Sequence, residues 1–229
     1  MGDSASVISR EFDRLALVAA GGDEGWTQNS HYHDFLLRRV PPGCRRALEV
    51  GCGAGAFSRR LAQRSEHVTA LDLSPEMVRI ARERSGQFGN IEFDVGDAVE
   101  RDLPEEEFDC VATIATLHHM PLRLMLSKFR RALKPGGVLL VLDLVEPEGF
   151  FDRLTDALAL PACVGLRLLH KRRFREPASV RAAWAEHEQY DSYPTLGEVR
   201  RACDGLLPGA EVRRHLLWRY SLIWRKVVV

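Results

Sequence analysis

Several acids, a glycine turn and a histidine pair stand at spacings suited to holding a charged small molecule and removing a proton beside it. Glu49-Val50-Gly51-Cys52-Gly53-Ala54-Gly55 leads from an apolar run into a helical one. Glycines at such a junction let a ligand approach the backbone. Asp72 closes the next apolar run, the usual place for a carboxylate that accepts from ribose hydroxyls. Gly51-x-Gly53-x-x-Ala56 also satisfies the dinucleotide pattern, so these two features alone leave the nucleotide open. Glu49 is the first arbiter, because an acid beneath the turn repels a pyrophosphate and favours a ligand carrying an amino group. Gly96-Asp97-Ala98 is the second: its carboxylate suits an exocyclic adenine amine, and the small Ala98 leaves room for the ring. His118-His119 and Asp143 supply imidazole and acid, and a carboxylate that orients an imidazole raises its basicity.

Positioning these residues requires alternating strands and helices. Strands are expected at Arg46 to Val50, His67 to Leu71, Ile91 to Val95, Phe108 to Ile114 and Gly137 to Asp143. Between them lie helices over Ala56 to Arg64, from Ser74-Pro75-Glu76 onward with Ser as cap and Pro at the first helical position, and over Leu122 to Leu133. Lys134-Pro135-Gly136-Gly137 reads as a strong break after that last helix. Five strands so separated imply a parallel sheet with right-handed crossovers. Ligands then bind beyond the carboxyl ends of the strands, where the glycine turn, Asp72, His118-His119 and Asp143 all fall. Upstream, Ser6 to Ala20 has helical periodicity, and Tyr32, Phe35, Leu36 and Val40 share one helical face that Pro41-Pro42 stops. Downstream, Phe150 to Arg173, Ser179 to Glu188 and Leu196 to Leu207 read as helices. Glu211 to Leu217 and Tyr220 to Val228 read as a closing antiparallel hairpin.

Composition sets the outer bounds. The chain of 229 residues suffices for one large α/β domain, and 45% hydrophobic with 28% charged residues is ordinary for a soluble protein. Lys plus Arg balances Asp plus Glu at 32 each, so no overall charge draws the chain to nucleic acid. The five cysteines, Cys44, Cys52, Cys110, Cys163 and Cys203, show no C-x-x-C spacing, which argues against disulfides or a metal site and for a reducing, cytoplasmic setting. No apolar run is long enough to cross a bilayer. Met1-Gly2-Asp3-Ser4-Ala5-Ser6 fits the degenerate myristoylation pattern.

From about Arg46 to Asp143 the chain resembles the class I S-adenosylmethionine-dependent methyltransferases. The segments that carry the resemblance come in unbroken order: Leu48-Glu49-Val50-Gly51-Cys52-Gly53-Ala54-Gly55, Leu71-Asp72-Leu73-Ser74-Pro75-Glu76-Met77, Gly96-Asp97-Ala98, Phe108-Asp109, Leu117-His118-His119-Met120 and Leu133-Lys134-Pro135-Gly136-Gly137. The resemblance implies a Rossmann-like, seven-stranded, mostly parallel sheet with a C-terminal antiparallel hairpin, helices on both faces and an N-terminal helical lid. It further implies one domain over 1–229, with a lid at 1–42, a cofactor-binding core at 45–145, and an acceptor-side insert and closing hairpin at 146–229. The cofactor would be S-adenosyl-L-methionine, its methionine part held by Glu49, Gly51, Gly53 and Gly55, its ribose by Asp72 and its adenine by Asp97 and Ala98. Cys52, Leu73, Met77, Ile114 and Tyr32 complete the expected cofactor set.

In some natural-product members a histidine after strand four and an acid after strand five are proposed to act as base. That places His119, slightly favoured over His118, with Asp143 in the catalytic set and a hydroxyl as acceptor. The bland alternative is that the histidines only position ligands. Trp26, His31, Tyr32 and His33 suit a lid over the cofactor, or plain helix packing. The basic block His170-Lys171-Arg172-Arg173-Phe174-Arg175 reads as a solvated helix end or an anion contact, and Trp184, Tyr190 and Tyr193 as pocket lining or packing. Ala112-Thr113-Ile114-Ala115-Thr116-Leu117 lacks the Asn/Asp-Pro-Pro-aromatic segment of nucleic-acid amino-methyltransferases, so a small-molecule acceptor is expected, with a monomer or homodimer as the assembly. Two other classes stay open: a nicotinamide oxidoreductase, disfavoured by Glu49 and by the lack of a Tyr-x-x-x-Lys pair, and a catalytically silent cofactor-binding scaffold.

Overall fold

The computed structural model describes residues 25–171 and 192–228, together with Asp13. The expected helices over Ser6 to Ala20 and Ser179 to Glu188, the acylation pattern, Trp184, Tyr190 and Arg172 to Arg175 lie outside the described residues.

Apolar residues alternate between the two sides of each strand, so one sheet can divide two cores. The strands are β1 Cys44–Val50, β2 Ser65–Asp72, β3 Ile91–Val95, β4 Phe108–Ile114, β5 Leu133–Leu144, β6 Glu211–His215 and β7 Arg219–Arg225. They form a seven-stranded sheet in the order β3-β2-β1-β4-β5-β7-β6. The first five are parallel, and β7 runs antiparallel to both β5 and β6. The chain reverses direction of travel across the sheet between β1 and β4, the kind of switch point at which such sheets bind ligands.

The helices are α1 His33–Leu37, α2 Ala56–Leu61, α3 Pro75–Arg84, α4 Leu122–Ala132, α5 Phe150–Lys171 and α6 Leu196–Cys203. Val111, Leu139, Val141, Tyr220 and Leu222 meet α4 and α6 on one face of the sheet. Ala47, Val68, Cys110, Leu140 and Leu142 meet α1, α2, α3 and α5 on the other. Two helix starts follow the local chemistry closely. Ser74 caps α3 by accepting from the Met77 amide at 3.0 Å, with Pro75 at the first helical position. Thr195 and Glu198 form a reciprocal capping box at the head of α6.

Lys134-Pro135-Gly136-Gly137 does not break the chain into a separate loop, as its composition suggests; it is a bulge inside β5. Phe108 pairs with Leu133 and Cys110 with Val138, so Asp109 alone faces the four residues from Lys134 to Gly137. Gly136 holds φ +81°, which only glycine adopts without strain, and its amide bonds to the Lys226 carbonyl at 2.8 Å. Asp109 fastens the bulge by accepting from Lys134 Nζ and from the Arg45 and Arg46 amides. Other departures lie at element ends: β1 and β2 begin two residues early, at Cys44 and Ser65, while α2 stops at Leu61, α6 at Cys203, β6 at His215 and β7 at Arg225.

Candidate active site

Parallel strands bring all their carboxyl ends to one edge, so residues far apart in sequence gather there. The turn after β1 is closed by the Gly51 and Cys52 amides, which donate to the Leu71 carbonyl at 2.8 and 3.1 Å. Gly51 sits at φ +76°, and a Cβ there would run into the Thr116 side chain, which follows β4. The Gly53 amide donates to Asp72 Oδ2 at 2.7 Å, and Asp72 Oδ1 accepts from the Ser74 amide at 2.9 Å. Asp72 thus ties the glycine turn to the start of α3 while each oxygen keeps acceptor capacity. Burial raises its pKa, against the lowering by the Ser74, Gly53 and Leu73 amides.

Glu49 lies beneath this turn, 2% exposed, and accepts from Ser58 Oγ of α2 at 2.5 Å. Burial pushes its carboxyl up to about 8, opposed by the Ser58 hydrogen bond and reinforced by the charge of Asp72. Cys52, near enough to feel the Glu49 charge, and Ile114, at the end of β4, are both buried, and burial drives the Cys52 thiol well above its ordinary range. Leu73 and Met77 follow Asp72 into the first turn of α3. Past β3, Asp97 Oδ1 accepts from the Val99 amide at 2.7 Å. Lys128 of α4, which sequence reasoning passed over, donates to the carbonyls of Ala98, Val99 and Arg101 and so fixes this loop.

At the ends of β4 and β5 the histidines separate in role. Ala115 takes a left-handed conformation at φ 50°, outside the usual range for a residue with a side chain, and starts the turn that carries Leu117–His119. Asp143, fully buried, accepts from the His118 amide through Oδ2 at 2.9 Å and meets His118 Nδ1 through Oδ1 at 2.6 Å. The structure therefore sets His118, rather than the slightly favoured His119, on the acid. His119 lies ring against ring with His118 at 3.9 Å, and Tyr193 meets His118 edge-on at 5.0 Å.

The aromatic cluster before the sheet divides in the same way. His33 is a core residue: burial depresses its pKa to about 4, and its ring packs on Phe57. Tyr32 donates its hydroxyl to the Leu216 carbonyl at 2.7 Å, fastening α1 to the β6–β7 turn, and burial pushes its phenol up to about 12. Trp26 stacks on His170 of the basic block and meets His31 edge-on. Among the described residues no helix is long and apolar enough to cross a membrane, and no group of three His, Cys, Asp or Glu could hold a metal ion. A concavity of about 610 Å³ bounded by Leu37, Val40, Pro41, Cys44 and Ser65 lies at the opposite edge, where β1 and β2 begin.

A family model described as a methyltransferase domain matches residues 47–137. An uncharacterized methyltransferase of Mycobacterium tuberculosis is 34% identical over 209 residues, spanning 90% of this chain and 100% of that protein. This chain belongs to the class I S-adenosylmethionine-dependent methyltransferases. A ubiquinone biosynthesis O-methyltransferase of Xylella fastidiosa is 36% identical over 167 residues, 67% of this chain and 64% of that protein. A crystal structure of a SAM-dependent methyltransferase from Aquifex aeolicus shares the fold, with a TM-score of 0.56 at 19% identity over 85% of this chain and 89% of that one. The methyltransferase cofactor is S-adenosylmethionine, and the edge just described suits it: buried acid under a glycine turn, a carboxylate tied to that turn, and a small residue beside a third carboxylate.

Proposed function

We propose that this methyltransferase moves the methyl group of S-adenosylmethionine to a hydroxyl of a small molecule, with His118 as the base. The observation that carries the reading is the His118–Asp143 pair, which meets at 2.6 Å beyond the ends of β4 and β5. With Nδ1–H donating to Asp143, the imidazole lone pair lies on Nε2 and can take the acceptor proton as the carbon–oxygen bond forms. The electron pair of the breaking sulfur–carbon bond stays on sulfur, so the sulfonium becomes a neutral thioether and needs no further activation. What remains for the chain is to align the acceptor, exclude water and hold that proton. The oxygen acceptor is also supported by the named activity of the Xylella relative.

In this reading Glu49 and the turn through Gly51, Cys52, Gly53 and Gly55 face the methionine part. Asp72 serves the ribose, Asp97 and Ala98 the adenine, and Leu73, Met77, Ile114 and Tyr32 complete the cofactor's surroundings. Residues 1–42 act as cover and 146–229 as acceptor side of a single domain. The described cysteines are all buried and free, which supports a reducing setting.

The experiment is direct titration of the purified protein. S-adenosylhomocysteine should bind and raise the melting temperature, whereas NADH should do neither, because the buried acid under the turn can ionise to meet an ammonium and offers nothing to a pyrophosphate. Asp72→Ala should weaken the homocysteine product by about 1.5–3 kcal/mol, the scale of hydrogen bonds to a charged group. An unchanged dissociation constant would remove Asp72 from the ribose contact, and tight NADH binding would remove the cofactor assignment of this edge.

A further inference from the structure

Arg219 opens β7 directly beside Leu144, the residue after Asp143, and so stands at the same edge as the His118–Asp143 pair. It is only 8% exposed. Its Nε donates to Asn29 Oδ1 at 2.8 Å, and its Nη1 donates to the Leu217 and Trp218 carbonyls at 3.3 and 3.4 Å. Among the described residues it makes no ion pair, and Nη2 has no hydrogen-bond partner. Nor is Nη2 among the sealed polar atoms that lack a partner, so this nitrogen keeps contact with solvent.

A guanidinium does not discharge by losing its proton at working pH, unlike a buried lysine. Placing it in the interior without a counter-charge is costly, and proteins ordinarily supply an acid within reach. Here three neutral acceptors orient the group, and the Asp143 carboxylate, itself bound to His118, acts on it only from beyond ion-pairing distance. Those three acceptors belong to the N-terminal cover and to the β6–β7 turn. In that turn Leu217 and Trp218 both take left-handed conformations, at φ 61° and 57°. Short hairpin turns call for such φ values, and the guanidinium accepts this geometry by donating to both carbonyls. Asp143, Tyr193 and Tyr32 are close enough to act electrostatically on the guanidinium, and Tyr193 also touches His118.

We propose that Arg219 is an acceptor-binding residue that receives an oxyanion, a carboxylate or phosphate carried by the substrate, through Nη2 while Nε and Nη1 hold the group in place. This rests on the methyltransferase reading of the edge above and narrows its acceptor to molecules bearing an anionic group besides the hydroxyl. Tyr193, edge-on to His118 and within electrostatic reach of Arg219, is the aromatic residue that neighbours both.

The test saturates the full-length protein with S-adenosylhomocysteine and then titrates benzoate, inorganic phosphate and, as a neutral match for benzoate, benzamide. Wild type should bind benzoate or phosphate at least tenfold more tightly than benzamide, a charge-assisted hydrogen bond in a partly buried place. Arg219→Gln, which keeps donors for the carbonyls but removes the charge, should erase that preference, and Arg219→Lys should retain part of it. Binding of S-adenosylhomocysteine itself should be unchanged in both variants. A guanidinium that only clamps the turn would lower the melting temperature in both variants and leave the anion preference intact. That result, or a wild type that binds benzoate no better than benzamide and ignores phosphate, overturns the proposal. Absence of S-adenosylhomocysteine binding would instead overturn the cofactor reading beneath it.

Discussion

Replacing His118 by alanine should lower kcat by about 10²–10⁴-fold while leaving the affinity for S-adenosylhomocysteine unchanged, the range expected when a general base is lost. His119→Ala should cost much less, since it is His118 whose Nδ1 meets Asp143 at 2.6 Å. Asp143→Asn should reproduce most of the His118 defect for a geometric reason. Asp143 Oδ1 meets His118 Nδ1 and accepts from the Leu144 amide, and Oδ2 accepts from the His118 amide. An amide nitrogen placed at Oδ1 would face Nδ1 and force the tautomer whose Nε2 bears the proton, removing the base. Placed at Oδ2, it would confront the His118 amide and disturb the turn that carries the ring. The double variant should be little worse than the poorer single one, because the pair acts as a unit. The rising limb that general-base catalysis gives the wild-type pH profile should disappear in His118→Ala. Small, additive losses with the limb intact in every variant would reduce both residues to positioning and leave the methyltransferase family untouched.

The fold was legible because it rests on period and punctuation. Parallel strands buried on both faces read as apolar runs, and caps such as Ser74-Pro75 mark their helices without reference to tertiary contacts. The glycine turn, Asp72 and Asp97 were legible as site candidates for a similar reason: each ends or follows a strand, and parallel strands place their ends together. The Lys134–Gly137 bulge was not, because Gly and Pro mark an irregular backbone without saying whether pairing resumes on the far side. Here it resumes at Val138, held by the contact of Lys134 with Asp109, a partner distant in sequence. Part of the motif pattern thus serves the opposite edge of the sheet rather than the ligand. The choice between His118 and His119 was equally beyond the sequence, since adjacent residues differ only in which way a short strained turn aims them. Arg219 was missed for a third reason. A basic residue opening a strand looks like a solvated end, and only the packing of Asn29 and the β6–β7 turn around it shows that it is buried.

Cofactor affinity and protein stability should respond in opposite directions to Glu49→Gln. The Glu49 carboxyl is raised from 4.5 to about 8, chiefly by burial, so in the free protein it is mostly protonated at neutral pH. The folded state therefore holds one more proton than the unfolded chain between about pH 4.5 and 8, and stability contributed at low pH is lost as pH rises through that window. Glutamine occupies the same volume, still accepts from Ser58 Oγ, and has no charge to bury. It should be the more stable protein above pH 8, by up to a few kcal/mol at about 1.4 kcal/mol per pKa unit. A bound ammonium reverses the preference, because it selects the ionised carboxylate. Binding of S-adenosylhomocysteine to wild type should then release a proton from Glu49 below pH 8, and its affinity should climb between pH 6 and 8, by at most about tenfold per unit. In the glutamine variant that slope should vanish, and affinity at pH 8 should fall by about 10–100-fold, the scale of a charged hydrogen bond. Calorimetry in buffers of different ionisation heat counts the released proton, and melting curves from pH 5 to 9 follow the stability. If the variant melts like wild type at pH 9 and binds with the same slope, Glu49 neither bears the burial cost nor meets the amine.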